Sequence, residues 1–295
     1  MYEQLDPYLE GMFANGSDMN VHIRPNVHAL LGQLGTMDVR LAANKDEIRA
    51  AQRLRHDVFY EELNAVPDSE TRQSGFDADR FDEICDHLIV IDRDAPNVCE
   101  RGQIVATYRL LRQDVAEAHE GFYSATEFDI APMLAAHPDK KFLELGRSCV
   151  LAPYRNKRTM ELLWQGTWAY ILLHKMDVLF GCASLSGTDQ KELQPQLSFL
   201  HNHALAEDVW AVEPLPELAA PFECLPAQAV NIRVAMRNLP PLIKGYLRLG
   251  ATVSSGAVID HQFGTTDVLI VMPVDQINPS YVNYYGADAS RHAAR

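Results

Sequence analysis

The sequence predicts an α/β fold of the α+β kind, one domain holding a mixed, mostly antiparallel sheet flanked by helices. Three observations carry this prediction. The runs 87–92 and 103–111 are rich in Ile, Val and aromatic residues and are separated by Asp94, Pro96, Asn97 and Gly102, which reads as an antiparallel hairpin. From Phe142 onward, Leu143, Leu145 and Cys149 alternate with Glu144, Ser148 and Val150; Pro153 ends the run, and Met160, Leu163, Trp164, Trp168 and Leu172 follow at helical spacing. This is a strand, a basic turn and a helix. No repeat or low-complexity tract interrupts the 295 residues, and 47% apolar with 22% charged residues suits one sizeable core.

Taken in order, residues 1–36 read as an N-terminal arm, 37–285 as the folded domain and 286–295 as a tail, with polar, Tyr-rich sequence already from Asn278. The spacing predicts a strand over 37–42 and a helix over 46–63, with Asn44 near its start and Ile48, Ala51, Leu54, Val58 and Tyr60 on its apolar side. Residues 64–82 form a polar, acidic loop, and 121–138 a mobile segment, on this reading. A buried strand over 178–184 leads to a turn at Gly187, Thr188 and Asp189. Strands are expected over 210–213, 229–236 and 266–274, with a short helix over 240–249 opened by prolines.

The formal charge of -14 argues against non-specific nucleic-acid binding, which depends on Lys and Arg neutralising phosphates. Two basic islands stand out: residues 140–158 hold six basic groups against one acid, Glu144, and residues 225–259 hold four with no acid. They point to a local anionic partner. Five cysteines with no C-x-x-C spacing favour a reducing cytosol, and the acidic N-terminus does not read as a signal peptide. The run 162–173 is too short to span a bilayer, so any membrane contact is expected to be peripheral.

Helix N-termini carry unpaired amides and partial positive charge, so Arg155, Asn156, Lys157 and Arg158 there make a phosphate seat. The turn 155–160 resembles the R-x-x-G-x-G/A acyl-carrier loop of GCN5-related N-acyltransferases, with Arg158 and Met160 where that loop has glycines. Added basic side chains suit the single phosphodiester and acidic surface of an acyl carrier protein better than the pyrophosphate of coenzyme A. Arg55 and Phe59 (L-R-H-D-V-F), Asp79 and Asp82 (D-R-F-D), Arg109 (Y-R-L-L), and Glu144 with Arg147 (E-L-G-R) occur in the order shown by acyl-homoserine-lactone synthases. The tryptophan those synthases carry after the phenylalanine is missing from Y-E-E-L-N-A-V, which argues against lactone synthesis.

With F-Y-S-A-T-E-F-D (122–129), L-L-W-Q-G (162–166), F-G-C-A-S-L-S-G-T-D (180–189) and L-P-P-L-I-K-G-Y-L-R-L-G-A (239–251), residues 37–285 resemble the L-ornithine N-α-acyltransferase family, which makes lyso-ornithine lipid. The resemblance implies a GCN5-related N-acyltransferase-like domain moving a 3-hydroxyacyl group from acyl carrier protein to the α-amine of L-ornithine, in the cytoplasm at the inner membrane face. It implies no permanently bound cofactor, because the acyl-phosphopantetheine on the carrier is the donor substrate. It also implies catalytic roles for Glu144 and Arg147 and amino-acid binding by Arg55, Phe59, Asp79, Asp82 and Arg109. Val150, Arg155, Lys157, Arg158 and Thr159 would then meet the carrier and its pantetheine. Another N-acyl-amino-acid or acyl-homoserine-lactone synthase, or a non-catalytic lipid- or carrier-binding protein on the same fold, stays open.

An ammonium must lose its proton before attacking a thioester, so a carboxylate beside the nucleophile is useful, and Glu144 is the candidate. Ideal alternation puts Glu144 and Arg147 on opposite faces of a strand, so both can line one cleft only across a β-bulge, with Gly146 between them. Asp79 and Asp82, with Asp77, Glu83 and Asp86 nearby, offer charge for a dicationic amino acid. Arg55 and Arg109 would orient those carboxylates or hold the substrate carboxylate. The D-A-D-R-F-D-E run lacks the glycine of a calcium loop, so no metal is expected. Cys85 and Cys149 are expected to be packing residues and not nucleophiles.

Overall fold

The computed structural model describes residues 30–95 and 102–277; the N-terminal arm through residue 29, the hairpin tip at 96–101 and the tail from Asn278 lie outside the described residues. The main strands are β1 (Gly32–Leu34), β2 (Met37–Leu41), β3 (Asp86–Asp92), β4 (Gln103–Arg112), β6 (Phe142–Val150), β7 (Val178–Ser186), β9 (Thr252–Val253), β10 (Val258–Asp260) and β11 (Thr265–Pro273). They form one nine-stranded sheet in the order β1-β2-β3-β4-β6-β7-β11-β10, with β9 also on β11; β5 (Phe128–Asp129) and β8 (Glu213–Pro214) pair separately. Every neighbouring pair in the large sheet is antiparallel except β6 and β7, which run parallel through the crossover helix between them. A parallel pair needs such a crossover, so the strand, basic turn and helix expected from the sequence set the topology of the centre.

The helices that matter for the site are α1 (Lys45–His56), α2 (Lys157–His174), α3 (Gln190–Ala204), α4 (Ile232–Asn238) and α5 (Pro241–Leu249). Strand alternation splits the core in two. Leu88, Val90, Leu143, Leu145, Leu179, Ala183, Val268 and Ile270 pack toward α2, α3 and α5. On the other face, Ile89, Ile91 and Ile104 meet α1, while Phe142, Phe180, Leu269 and Val271 meet Phe122, Phe128 and Met133. Gly166 lets α2 lie close on the sheet, because a Cβ there would run into Val39 and Leu88 side chains.

Several expectations change in the structure. The helix expected over 46–63 is α1 followed by a π-helical turn, Asp57–Glu62. The acidic loop contains two short helices, Ser69–Ser74 and the 3-10 turn Arg80–Glu83. The segment expected to be mobile, 121–138, folds as a 3-10 turn (Tyr123–Thr126), β5 and a helix (Ala131–Ala136), and it gives Phe122, Phe128, Ile130 and Met133 to the core. Residues 229–236, expected as a strand, are mainly α4: Asn231 caps Val234 N–H, and Ala235 is the buried residue of the helix. The strand expected over 210–213 is a 3-10 turn, Asp208–Trp210, leading to β8, which Pro214 stops. The helix α3 follows the turn at Asp189; Pro195 inside it masks the periodicity of Leu193, Leu197 and Leu200.

Candidate active site

The strands β6 and β7 pair only over Phe142↔Val178, Leu143↔Leu179 and Glu144↔Phe180, and then part. Gly181 stands at the fork with φ +155°, where a Cβ would collide with the Leu145 carbonyl oxygen. One residue later, β6 bulges against β4. Thr107 opposes Cys149 and Arg109 opposes Gly146, so Arg147 and Ser148 together face Tyr108. Arg147 takes φ +53°, the left-handed conformation a bulge requires at this position, although it is not glycine. The extra residue inverts the alternation. Before it Phe142 and Glu144 face the α1 side of the sheet, and after it Cys149 does. Glu144 and Arg147, three residues apart, therefore share one face, as the sequence argument required.

A cleft of about 410 Å³ opens at the fork. It is lined by Glu144, Cys182, Ser184 and Asp267 from one face and by Leu145, Ala183 and Leu242 from the other. Neighbouring residues of both parities can line one cavity only where the strands have separated, so the cleft passes between β6 and β7 through the sheet. Phe59, Leu63, Tyr108 and Phe263 supply apolar wall, and Gly146 and Ser148 bring the bulge backbone to it.

Beside the cleft, three arginines and three aspartates neutralise one another. Arg55 is 1% exposed and donates Nε to Asp77 Oδ2 at 2.7 Å, with Nη1 and Nη2 to both oxygens of Asp82 at 2.9 and 2.8 Å. Arg109 donates Nη1 to Asp79 Oδ1 at 2.6 Å, and Arg147 lies 3.3 Å from Asp79 Oδ2 and 3.5 Å from Asp77 Oδ2. Asp79 and Asp82 also close a reciprocal cap on the turn Arg80–Glu83. Burial works against ionised Asp82, but the charge and hydrogen bonds of Arg55, helped by Arg109, hold its carboxyl well below the usual range. Arg147 is sandwiched between the Tyr123 and Phe263 rings, 5.1 and 4.9 Å from their centroids. Phe59 meets Phe263 edge-on at 5.5 Å. The motif residues Arg55, Phe59, Asp79, Asp82, Arg109, Glu144 and Arg147 are thus brought together around one cleft.

Glu144 is buried, and its two oxygens accept Tyr123 N–H at 2.9 Å and Ser124 N–H at 2.6 Å. Burial raises its carboxyl above the ordinary range, partly offset by hydrogen bonds from Ser124 and Tyr123. Cys85, Cys149 and Cys182 all have thiols pushed up by burial, which removes thiolate character at neutral pH.

The basic turn behaves differently from its sequence reading. Val150 ends β6 with its side chain against the core, and its carbonyl accepts Arg155 Nε at 2.9 Å. Both terminal nitrogens of Arg155 are held by Glu62. Asn156 caps α2, its side-chain oxygen accepting Arg158 N–H at 3.0 Å and Thr159 N–H at 3.2 Å, while the Thr159 hydroxyl turns inward toward Met37. Lys157 and Arg158 are exposed at the helix start, Lys157 pairing with Glu161 at 3.2 Å. Lys140 and Lys141 precede β6 and so stand at its far end, ~25 Å from this turn at strand rise. The island that looks continuous in sequence is two sites.

Sequence reasoning did not single out Tyr123, Ser124, Gly181, Glu127, Asp260 or Asp267. The first four fall inside quoted motif stretches, but Asp260 and Asp267 come from the strands β10 and β11, which carry no motif there.

Comparison with known proteins places these features in a family. Residues 54–165 match the acetyltransferase (GNAT) domain model. An L-ornithine N(alpha)-acyltransferase of Agrobacterium fabrum is 52% identical over 262 residues, 89% of each chain. The Rhizobium meliloti protein of the same name is 51% identical over 279 residues, 93% of this chain and 94% of its own. That of Rhodobacter capsulatus is 39% identical over 248 residues, 84% and 94% of the two chains. Among solved structures, FeeM, an N-acyl amino acid synthase from uncultured soil microbes, covers 81% of this chain and 91% of its own at TM-score 0.46 and 13% identity. The forked parallel pair, the bulge beside it and the basic helix start thus belong to a GNAT-type N-acyltransferase, and the chain is a member of the L-ornithine N(alpha)-acyltransferase family.

Proposed function

We propose that this enzyme moves a 3-hydroxyacyl group from the phosphopantetheine arm of an acyl carrier protein to the α-amine of L-ornithine, giving lyso-ornithine lipid, with no resident cofactor. The observation that carries this reading is the cleft through the forked strands. Lining from both faces of the sheet would let a long thioester and an amino acid approach from opposite sides, with the bulge between them. Arg109 lines the cleft and, among the described residues, commits only Nη1 to carboxylates, leaving N–H groups for the α-carboxylate of the acceptor. The neutral α-amine attacks the thioester carbon, forming the C–N bond as the carbonyl electrons move onto oxygen. Gly146, Arg147 and Ser148 line the cleft at the bulge, where backbone N–H groups would stabilise that oxygen. Collapse breaks the C–S bond, and the pantetheine thiolate takes up a proton as the amine gives one up. The carboxylate of Glu144 has more acceptor sites than its bonds from Tyr123 and Ser124 occupy, so Glu144 accepts the amine proton directly or through one water.

No helix among the described residues is long and apolar enough to cross a membrane. Peripheral contact at the inner face of the cytoplasmic membrane is supported by α4, which exposes Ile232 and Val234 beside Arg233 and Arg237. The test of the reaction is release of free carrier thiol when L-ornithine is added to the enzyme and a 3-hydroxyacyl carrier protein, with the N-acylated product identified by mass spectrometry. Thiol release that is indifferent to ornithine, or that occurs only with other amino acids, rejects the reading.

A further inference from the structure

The arginine–aspartate network leaves no carboxylate oxygen of Asp82 unpaired and surrounds Asp77 and Asp79 with cations. A cationic substrate entering there would meet three guanidinium groups. A second acidic group lies along the same cleft and is not neutralised. Glu127, Asp260 and Asp267 each offer a carboxylate oxygen within 4.8 Å of the other two, and Asp260 and Asp267 line the cleft. Among the described residues, no Lys or Arg forms an ion pair with any of them. Glu127 is 8% exposed, and its Oε2 is buried with no hydrogen-bond partner. Leaving a carboxylate oxygen dry and unpaired is costly, so a buried one beside two more carboxylates on a cleft marks a place for a cation.

The arrangement is built by the fold. Asp267 on β11 pairs with Ser184 on β7, so it faces the cleft with Cys182 and Ser184. Thr265 Oγ1 fixes one of its oxygens at 2.9 Å. One oxygen of Asp260 is held by Gln262 N–H at 2.8 Å and Phe263 N–H at 3.0 Å, which anchors the β10–β11 turn. Glu127 arrives from the segment that Glu144 secures through Tyr123 and Ser124.

We propose that Glu127, Asp260 and Asp267 form the pocket for the side-chain ammonium of the amino-acid acceptor, and so select a diamino acid over a neutral one of the same length; this rests on the ornithine reading above. An ammonium has three N–H donors in tetrahedral directions, and with N···O near ~2.8 Å the accepting oxygens lie ~4.6 Å apart. Three oxygens all within 4.8 Å of one another are compatible with that spacing. The pairing is charge-assisted on every bond and largely removed from water, the condition under which a missing ammonium is most strongly discriminated. The acceptor then lies along the cleft with its carboxylate toward Arg109, its α-amine at the fork, and its side chain toward β10 and β11.

The test compares L-ornithine with L-norvaline, which has the same five-carbon chain and no δ-amine, using a 3-hydroxyacyl carrier protein as donor. The wild-type enzyme is expected to favour ornithine at least ~100-fold in kcat/KM, and Asp267→Asn and Glu127→Gln are each expected to cut that preference at least tenfold, chiefly through the ornithine KM. A preference unchanged in both variants, with both substrates falling together, overturns the proposal. So does wild-type turnover that is lost on treatment with EDTA and restored by Mg²⁺ or Ca²⁺, which would make the trio a metal site. If the variants do not fold, the wild-type melting temperature decides: ornithine must raise it more than norvaline does at equal concentration, and equal shifts overturn the proposal. Failure of the wild-type enzyme to acylate ornithine while acylating other amino acids would instead reject the substrate reading.

Discussion

Glu144 does two things at once, and a neutral replacement separates them only in part. Its carboxylate holds Tyr123 and Ser124 by their amides, so Glu144→Gln keeps one acceptor and turns an N–H₂ toward a backbone N–H. We expect loss of most turnover at neutral pH together with about 1–3 kcal/mol of destabilisation. Thermal unfolding and a pH–rate profile on the same variant check this; turnover unchanged across the pH range would remove Glu144 from proton transfer. Asp267 gives a separate pH signature. Burial, then the charge of Glu127 and Asp260, push its carboxyl up to about 7 against hydrogen bonds from Ser184 and Thr265. The folded state thus binds a proton that the unfolded chain has already lost. There is no penalty below the unfolded value near ~4, and stability falls as pH rises from there through about 7, by a total on the order of 4 kcal/mol. Asn at this position cannot ionise, so Asp267→Asn should melt higher relative to wild type at pH 8 than at pH 5, by several degrees. An identical difference at both pH values would mean that Asp267 is ionised freely in the fold. The two residues differ in how visible they were beforehand. Glu144 sits in a motif, E-L-G-R, whereas Asp267 gains its chemistry only when β11 is laid against β7 and Glu127 is folded over from far along the chain.

Among the elements, the β6–β7 fork is what turns a sheet into a site. The bulge in β6 was legible because Glu144 and Arg147 could share a face in no other way, with Gly146 between them. The fork was not, since Gly181 lies in an ordinary apolar run and its φ of +155° shows only against its neighbour. For the same reason 229–236 misled: A-V-N-I-R-V-A-M alternates as a strand would, and the competing signal, Asn231 as a helix cap, is one residue. The fold class, the hairpin of β3 and β4 and the β6–α2–β7 crossover were readable because long periodic runs decided them. Short elements were decided by caps and tertiary contacts instead. The fork makes its own prediction. An alanine at Gly181 must change φ and push its Cβ off the Leu145 carbonyl, which shifts β7 against β6. Gly181→Ala is expected to destabilise the protein by about 2 kcal/mol or more and to lower activity on both substrates even at temperatures where it is folded. Full activity with unchanged melting would show that the fork is not held by that close approach.

For the whole molecule, the proposed donor sets the problem: on that reading, a chain of formal charge -14 has to attract an acidic carrier. Net charge opposes the encounter, so a local positive surface has to overcome it, and the structure narrows where that surface is. Arg155 is tied to Glu62 and to the Val150 carbonyl, and Lys140 pairs with Asp275 at the opposite end of β6. Lys157, which pairs with Glu161 within its own helix, and Arg158 are exposed at the start of α2, where the helix dipole adds positive potential. Asn156 already occupies the Arg158 and Thr159 amides, and Arg158 stands where a glycine would let backbone approach a pyrophosphate, so side-chain charge, not a backbone cradle, is what this turn offers. Such attraction speeds association and fades once the screening length drops below ~10 Å, near 0.1 M salt. Reversing both charges, Lys157→Glu with Arg158→Glu, is therefore expected to raise the apparent KM for the acyl carrier protein about tenfold at low salt and to flatten its salt dependence, while saturation by ornithine stays within about twofold. The matching acyl-coenzyme A, which has no acidic helical surface to be steered, should be a poor donor for both proteins. Steady-state kinetics with the two donors at 20 mM and 500 mM salt, as approximate ends of the range, measure all of this. Equal use of both donors, with no salt effect on either, would leave Lys157 and Arg158 as ordinary solvated surface and put the carrier's docking site elsewhere on the molecule.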